Sequence, residues 1–170
     1  MEIIIRSELP AERGASDEIL RKAYGGDAEA NLASALRAAS EFNANLSLVA
    51  ANGSEILGYA LYTRVMVTGS SIMPAAALSV MAVREDRRKL GVAERLVRHG
   101  LERCRGLKID LVFASAIPAY FARIGFRPAA PNIKPNWDLS PDQFSVFDLS
   151  GSHLAKLTGV VTYPASYHAR

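Results

Sequence analysis

The chain reads as one mixed α/β domain of the α+β kind, spanning residues 1–170, and three observations carry that expectation. Strand-length apolar runs lead the chain, at residues 2–8, 46–50 and 55–67. From Leu78 onward, runs of strand length alternate with stretches of helical spacing, in the order strand, helix, strand, helix, strand. The length of 170 residues, with 49% apolar and 22% charged residues, supplies one full core and is short for two.

Residues 2–8 form the first expected strand, rich in isoleucine and ended by Pro10. Ser16 is placed to cap a short helix carrying Asp17 and Glu18 in its first turn, and Gly25-Gly26 stops it. Asp27 opens a second helix with Leu32, Ala35, Leu36, Ala39 and Phe42 on one side. Residues 46–50 and 55–67 flank Asn52-Gly53, a hairpin signal. Gly69-Ser70-Ser71 and Pro74 make the next turn, which delivers the chain to Leu78-Ser79-Val80-Met81-Ala82-Val83. After a charged loop and a long helix, residues 109–114 read as a buried strand. Pro118 starts a short helix over residues 119–124 and Gly125 ends it. Phe126-Arg127-Pro128 is extended, residues 131–141 are a proline-rich loop, and residues 143–149 and 159–163 are the final strands.

The stretch from Leu78 to Arg105 is the most informative. The strand breaks into Arg84-Glu85-Asp86-Arg87-Arg88-Lys89-Leu90 and then Gly91. Beyond it Val92, Ala93, Leu96, Val97, Gly100, Leu101 and Cys104 recur at intervals that place one apolar stripe along a helix. A glycine turn entering a helix offers backbone N–H groups and the positive end of the helix dipole, a setting that suits phosphate. From Arg84 to Lys108, nine Lys and Arg stand against Glu85, Asp86, Glu94 and Glu102, although the whole chain carries only +3. That local excess favours an anionic ligand over a whole-surface field. Nucleic acid is disfavoured, because four acids dilute the basic segment and no stacking aromatics interleave it.

Other classes fall away on composition. No apolar run reaches membrane-spanning length, and the N-terminal residues lack the pattern of a secretion signal, so a cytoplasmic protein without a membrane partner is expected. The single Cys104 excludes an internal disulfide, and its place on the helix stripe points to packing. No spacing of His, Asp and Glu indicates a metal site.

The pattern Arg88-x-x-Gly91-x-Ala93 resembles the acyl-CoA pyrophosphate loop of the GCN5-related N-acetyltransferase (GNAT) superfamily. Leu78-Ser79-Val80-Met81-Ala82-Val83 is similar to that family's fourth strand, and Pro118-Ala119-Tyr120-Phe121-Ala122-Arg123-Ile124-Gly125-Phe126 to its short helix ending in Gly-Phe. Leu36-Arg37, residues 46–50, Leu57-Gly58-Tyr59-Ala60, and the tail from Trp137 through Phe144 to Tyr163-Pro164 resemble one bacterial branch of predicted N-acetyltransferases. The resemblance covers roughly residues 28–165. It implies a mixed, mostly antiparallel central sheet flanked by helices, with strands splayed at the acyl-CoA site. It also implies acetyl-CoA as donor, an amine-bearing acceptor and direct transfer in a ternary complex, and it is compatible with a homodimer.

By the same resemblance, backbone groups of Lys89, Leu90, Gly91, Val92 and Ala93 hold the pyrophosphate, with charge from Arg88 and Lys89, and Met81, Ala82 and Val83 bond the pantetheine arm. Arg84 and Arg87 either add charge or face solvent. Many members carry a tyrosine four residues before the glycine of the Gly-Phe pair, to protonate the departing thiolate. Here that position is Phe121, which has no proton to give; Tyr120, about a quarter turn away on a helix, is the acid candidate. Two roles stay open for Tyr120, proton donor or packing at the cofactor rim. No general base stands out: Ser79 offers only water positioning, and His99, His153 and His168 lack a partner pattern. Trp137 and Tyr62 are aromatics that line an acceptor pocket or simply pack. The alternative to an enzyme is a non-catalytic acyl-CoA-binding or regulatory domain on the same fold, motivated by Phe121.

Overall fold

Nine strands and four α-helices organise the chain in the computed structural model, which describes residues 1–129 and 131–169. The strands are β1 (Ile4–Ser7), β2 (Ser47–Asn52), β3 (Glu55–Thr68), β4 (Ile72–Val83), β5 (Leu111–Ser115), β6 (Arg127–Pro128), β7 (Ile133–Pro135), β8 (Phe144–Asp148) and β9 (Gly159–Thr162). The helices are α1 (Arg13–Tyr24), α2 (Ala28–Ala38), α3 (Val92–Gly106) and α4 (Pro118–Ile124). The sheet is mixed and mostly antiparallel; the pairs β4–β5 and β7–β9 are parallel. The chain divides into two compact units, residues 1–63 with 79–103 and residues 64–78 with 104–170.

In the first unit β1 pairs with β2, and β2 with β3 across a two-residue turn at Gly53-Ser54, where Gly53 has φ 59°. From Leu57 to Thr63, β3 is buried at every residue, because the sheet is covered on both faces there. The apolar stripe on α3 is the clearest success of spacing. Val92, Leu96, Val97, Leu101 and Cys104 are buried, and Tyr62 donates its hydroxyl to Val97 O at 3.0 Å. Gly100 makes that approach possible, since a Cβ there would lie 2.1 Å from the Tyr62 ring.

The first two helices depart from the expectation. Ser16 caps nothing: α1 begins three residues earlier, and Ser16 is buried inside it. A 3-10 turn, Pro10–Glu12, precedes the helix, and the Glu12 carboxylate there takes the Leu9 N–H and the Arg6 guanidinium. In α2 Ala35 is exposed, while Arg37 is buried with Leu32, Ala33 and Leu36. Arg37 donates to Glu8 at 2.9 and 3.2 Å and to Asp17 at 2.7 Å, and its guanidinium lies 4.9 Å from the Tyr59 ring centre. Charge pairing thus gives a polar residue an interior position that apolar periodicity assigns elsewhere. Burial, with Glu8 nearby, pushes the Tyr59 hydroxyl up to about 12.

In the second unit the N-terminal half of β4 pairs with β5 at Ala76–Val112, Ala77–Phe113 and Leu78–Ala114. β8 continues from β5, and β6 pairs with β8. β9 pairs with both the end of β3 and β7. Two loop expectations change here. Pro74 lies within β4 rather than in the turn before it, exposed near the strand's start where its missing N–H is tolerated. The proline-rich loop contains β7, which β9 recruits from across the sequence. Burial pushes the Cys104 thiol up to about 12.

Candidate active site

β4 ends where Arg84 donates its backbone N–H to Leu57 O on β3 at 2.9 Å. A 3-10 turn, Glu85–Arg87, carries the chain outward, and two residues then take left-handed backbone, Lys89 with φ 68° and Gly91 with φ 72°. Gly91 O accepts the Arg95 N–H at 3.1 Å, so α3 starts directly behind the glycine. The amides of a helix's first turn have no partner inside the helix, and left-handed residues beside them fold backbone N–H groups into an anion-binding concavity. A Cβ at Gly91 would meet nothing within 4 Å. The backbone angle, not crowding, is what asks for glycine here, and the space in front of it is open.

The four basic side chains before Gly91 divide into two pairs. Arg84 is bound to Glu55 and Asp86, and Arg87 lies 3.3 Å from Asp86 and 3.8 Å from Glu55. Hydrogen bonding from Arg84 holds the Asp86 carboxyl below its usual range. Arg88 and Lys89 are exposed, and neither enters an ion pair among the described residues. Arg84 and Arg87 thus do not simply face solvent: both are tied to Glu55, on β3, and to Asp86. Leu90 is exposed, Val92 is buried as the first residue of the α3 stripe, and Ala93 is half-buried.

On β4 the side chains alternate, Val80 and Ala82 buried, Ser79, Met81 and Val83 half-buried. Val83, Arg84 and Arg88 form one wall of a cavity of about 750 Å³ whose other wall includes Ala15, Ile19 and Lys22 of α1. That volume is within the range of small-molecule sites. Tyr24, the last residue of α1, donates its hydroxyl to Met81 O at 3.0 Å. Ser79 donates to Thr63 Oγ1 at 2.7 Å. Neither contact is legible beforehand: no spacing links residue 24 to 81, and cross-strand pairing of Ser79 with Thr63 needs the register.

In the second unit β5 runs into α4 through two non-glycine residues in left-handed backbone, Ala116 (φ 70°) and Ile117 (φ 48°). Such angles cost a β-branched residue free energy, and they occur mostly where a chain must aim a side chain. α4 opens with Pro118 and closes at Gly125, φ 123°, against the Phe147 ring. Phe121 is buried, 5.1 Å from the Phe126 ring. Tyr120 is half-buried, edge-on to Phe121 at 5.3 Å, with the Arg123 guanidinium 5.5 Å from its ring centre. Of the aromatics weighed for an acceptor pocket, Tyr62 is core, and Trp137 packs on Tyr163 and Tyr167. His99 is exposed, with Nδ1 at 2.9 Å from Arg95 O; His153 meets Asp110, and His168 meets Asn136.

No helix among the described residues is long and apolar enough to cross a membrane. The family model of the GNAT acetyltransferase domain matches residues 12–129. The chain is 31% identical over 163 residues to the N-acetyltransferase YhbS of Escherichia coli K12, covering 95% of this chain and 96% of that protein. The structure of Escherichia coli YhbS in complex with CoA superposes with a TM-score of 0.90 at 29% identity, over 99% of this chain and 93% of that one. A GNAT acetyltransferase of Brucella melitensis, in complex with acetyl-CoA, shares the fold at a TM-score of 0.77 and 23% identity, over 98% of both chains. This chain belongs to the GNAT family of N-acetyltransferases.

Proposed function

We propose that residues 1–170 act as one acetyltransferase domain that moves the acetyl group of acetyl-CoA to an amine by direct attack in a ternary complex. The observation that carries this is the loop from Arg88 to Ala93. Lys89 and Gly91 are left-handed, α3 starts behind them, and the cations at 88 and 89 are not spent on ion pairs within the described residues. Backbone N–H groups of Lys89, Leu90, Gly91, Val92 and Ala93 take the pyrophosphate oxygens, and Arg88 and Lys89 add charge-assisted bonds. The backbone of Met81, Ala82 and Val83 bonds the pantetheine amides as an added strand would. The CoA complex of YhbS, 29% identical, supports this donor.

The neutral amine attacks the thioester carbonyl carbon, the C–S bond breaks, and the departing thiolate takes a proton. Tyr120 supplies that proton, because a phenol keeps it at neutral pH and Phe121 has none. The ammonium form of the acceptor loses its proton to a water chain.

Thermal melting with acetyl-CoA tests the donor. The shift should grow with concentration and correspond to about 2.7 kcal/mol at a hundredfold excess over Kd; no shift at millimolar acetyl-CoA would sink the proposal. Release of free thiol across a panel of small amines, amino acids, polyamines and peptides then tests catalysis. Cys104 is fully buried and its thiol stays protonated, so the folded protein contributes no thiol signal of its own. A second reading, a non-catalytic acyl-CoA-binding domain, is favoured by the core packing of Phe121 at the usual acid position. Binding without thiol release from any amine would select it.

A further inference from the structure

Tyr24 has no part in the proposed chemistry, but its hydroxyl lies on a backbone group of the proposed donor site. The residue is 51% exposed, yet its hydroxyl reaches 57 residues along the chain to donate to Met81 O at 3.0 Å. Arg84 turns its N–H toward Leu57 on β3, and strand alternation turns the peptide of Met81, three residues earlier, toward the other edge. On that edge the Met81 and Val83 backbone groups would meet the pantetheine amides in the donor site proposed above. Directly after Tyr24, Gly25 closes α1 in left-handed backbone at φ 72°. A Cβ at Gly25 or Gly26 would meet nothing within 4 Å; the junction is held by the Gly25 and Gly26 N–H groups, both donated to Arg21 O, and by the exposed pair Arg21–Asp27.

We infer that Tyr24 is a latch on the donor strand. Its hydroxyl occupies the Met81 carbonyl before the donor arrives and surrenders it to a pantetheine N–H on binding, so that donor binding displaces the end of α1. This rests on the donor site proposed above. One exposed hydrogen bond is a modest competitor, and its removal should change affinity by roughly fivefold. The competition is confined to the pantetheine half of the ligand, because the phosphates are held by the loop at Arg88 to Ala93.

Calorimetry of the full chain with CoA and with adenosine 3′,5′-bisphosphate, which lacks pantetheine, separates the halves. Tyr24→Phe should bind CoA about fivefold tighter than the parent chain and adenosine 3′,5′-bisphosphate equally well. Tyr24→Leu, which also removes the hydroxyl, should show the same split. CoA affinity unchanged or weakened in both variants overturns the latch, as does equal tightening of the two ligands. If CoA fails to bind the parent chain and both variants alike, the donor site itself is wrong and the latch falls with it. CoA binding that is equal in all three chains removes the latch and leaves the donor site standing.

Discussion

The loop from Arg88 to Ala93 and the segment from Ala116 to Phe126 both follow a buried strand, and both use left-handed backbone to enter a helix. They differ in what the proposed function asks of them. In the first it is the main chain: Gly91 has φ 72°, a conformation glycine takes without steric cost, and the space in front of it is open. In the second, under the proposal above, it is one side chain, Tyr120. Ala116 and Ile117 hold positive φ there, as Lys89 does in the first loop, and Phe121 is committed to the core beside Phe126. A site built of backbone tolerates many sequences of the right shape, whereas a site built on one hydroxyl fails with the loss of one atom.

The largest effect expected from that contrast is on turnover. Tyr120→Phe should lower kcat by about a hundredfold or more while CoA affinity stays within about twofold, since the change removes a proton donor and keeps the ring. Unchanged turnover would return Tyr120 to a packing role. Gly91→Val comes next. A β-branched residue in left-handed backbone costs about 2 kcal/mol, roughly thirtyfold in CoA affinity if the loop abandons its shape. Calorimetry reads the affinity; a fall in melting temperature with affinity intact would show that the loop kept its shape at the expense of stability. Arg88→Ala should weaken CoA about fivefold, and the loss should shrink as salt is raised. Arg84→Ala marks the low end, within about twofold, because Glu55 and Asp86 already engage that charge. A loss for Arg84→Ala as large as that for Arg88→Ala would break the division of the loop's cations into bracing and binding pairs.

Much of this was open to reading before any fold. Val92, Leu96, Val97, Leu101 and Cys104 are buried as their spacing required, and Gly25, Gly91 and Gly125 end or begin helices in positive-φ backbone. Pro118 and Gly125 bracket α4 as expected. The misreadings share one cause. Ser16 as a cap, Ala35 as core and Pro74 as a turn residue each follow from local preference, and each yields to a longer-range demand. Glu12 ties the entry of α1 to Arg6, Arg37 replaces Ala35 inside because Glu8 and Asp17 meet it there, and β4 extends back past Pro74. Of the residues proposed for the site, Arg88 and Gly91 are marked by spacing, while Tyr24 is not, because its partner is a carbonyl and carbonyls leave no mark on residue identity.

Residue order alone therefore determined most of the elements, though not β7 or the start of β4, together with the helix stripe and the left-handed glycine at the head of α3, because these depend on neighbours within a few positions. The three-dimensional arrangement decided which arginines are held by Glu55 and Asp86, which aromatic of the pair at 120 and 121 is core, and where the Tyr24 hydroxyl is donated. Those outcomes depend on charges and peptide groups brought together from distant parts of the chain. A local pattern carries the shape of an element; it carries no record of what will stand opposite.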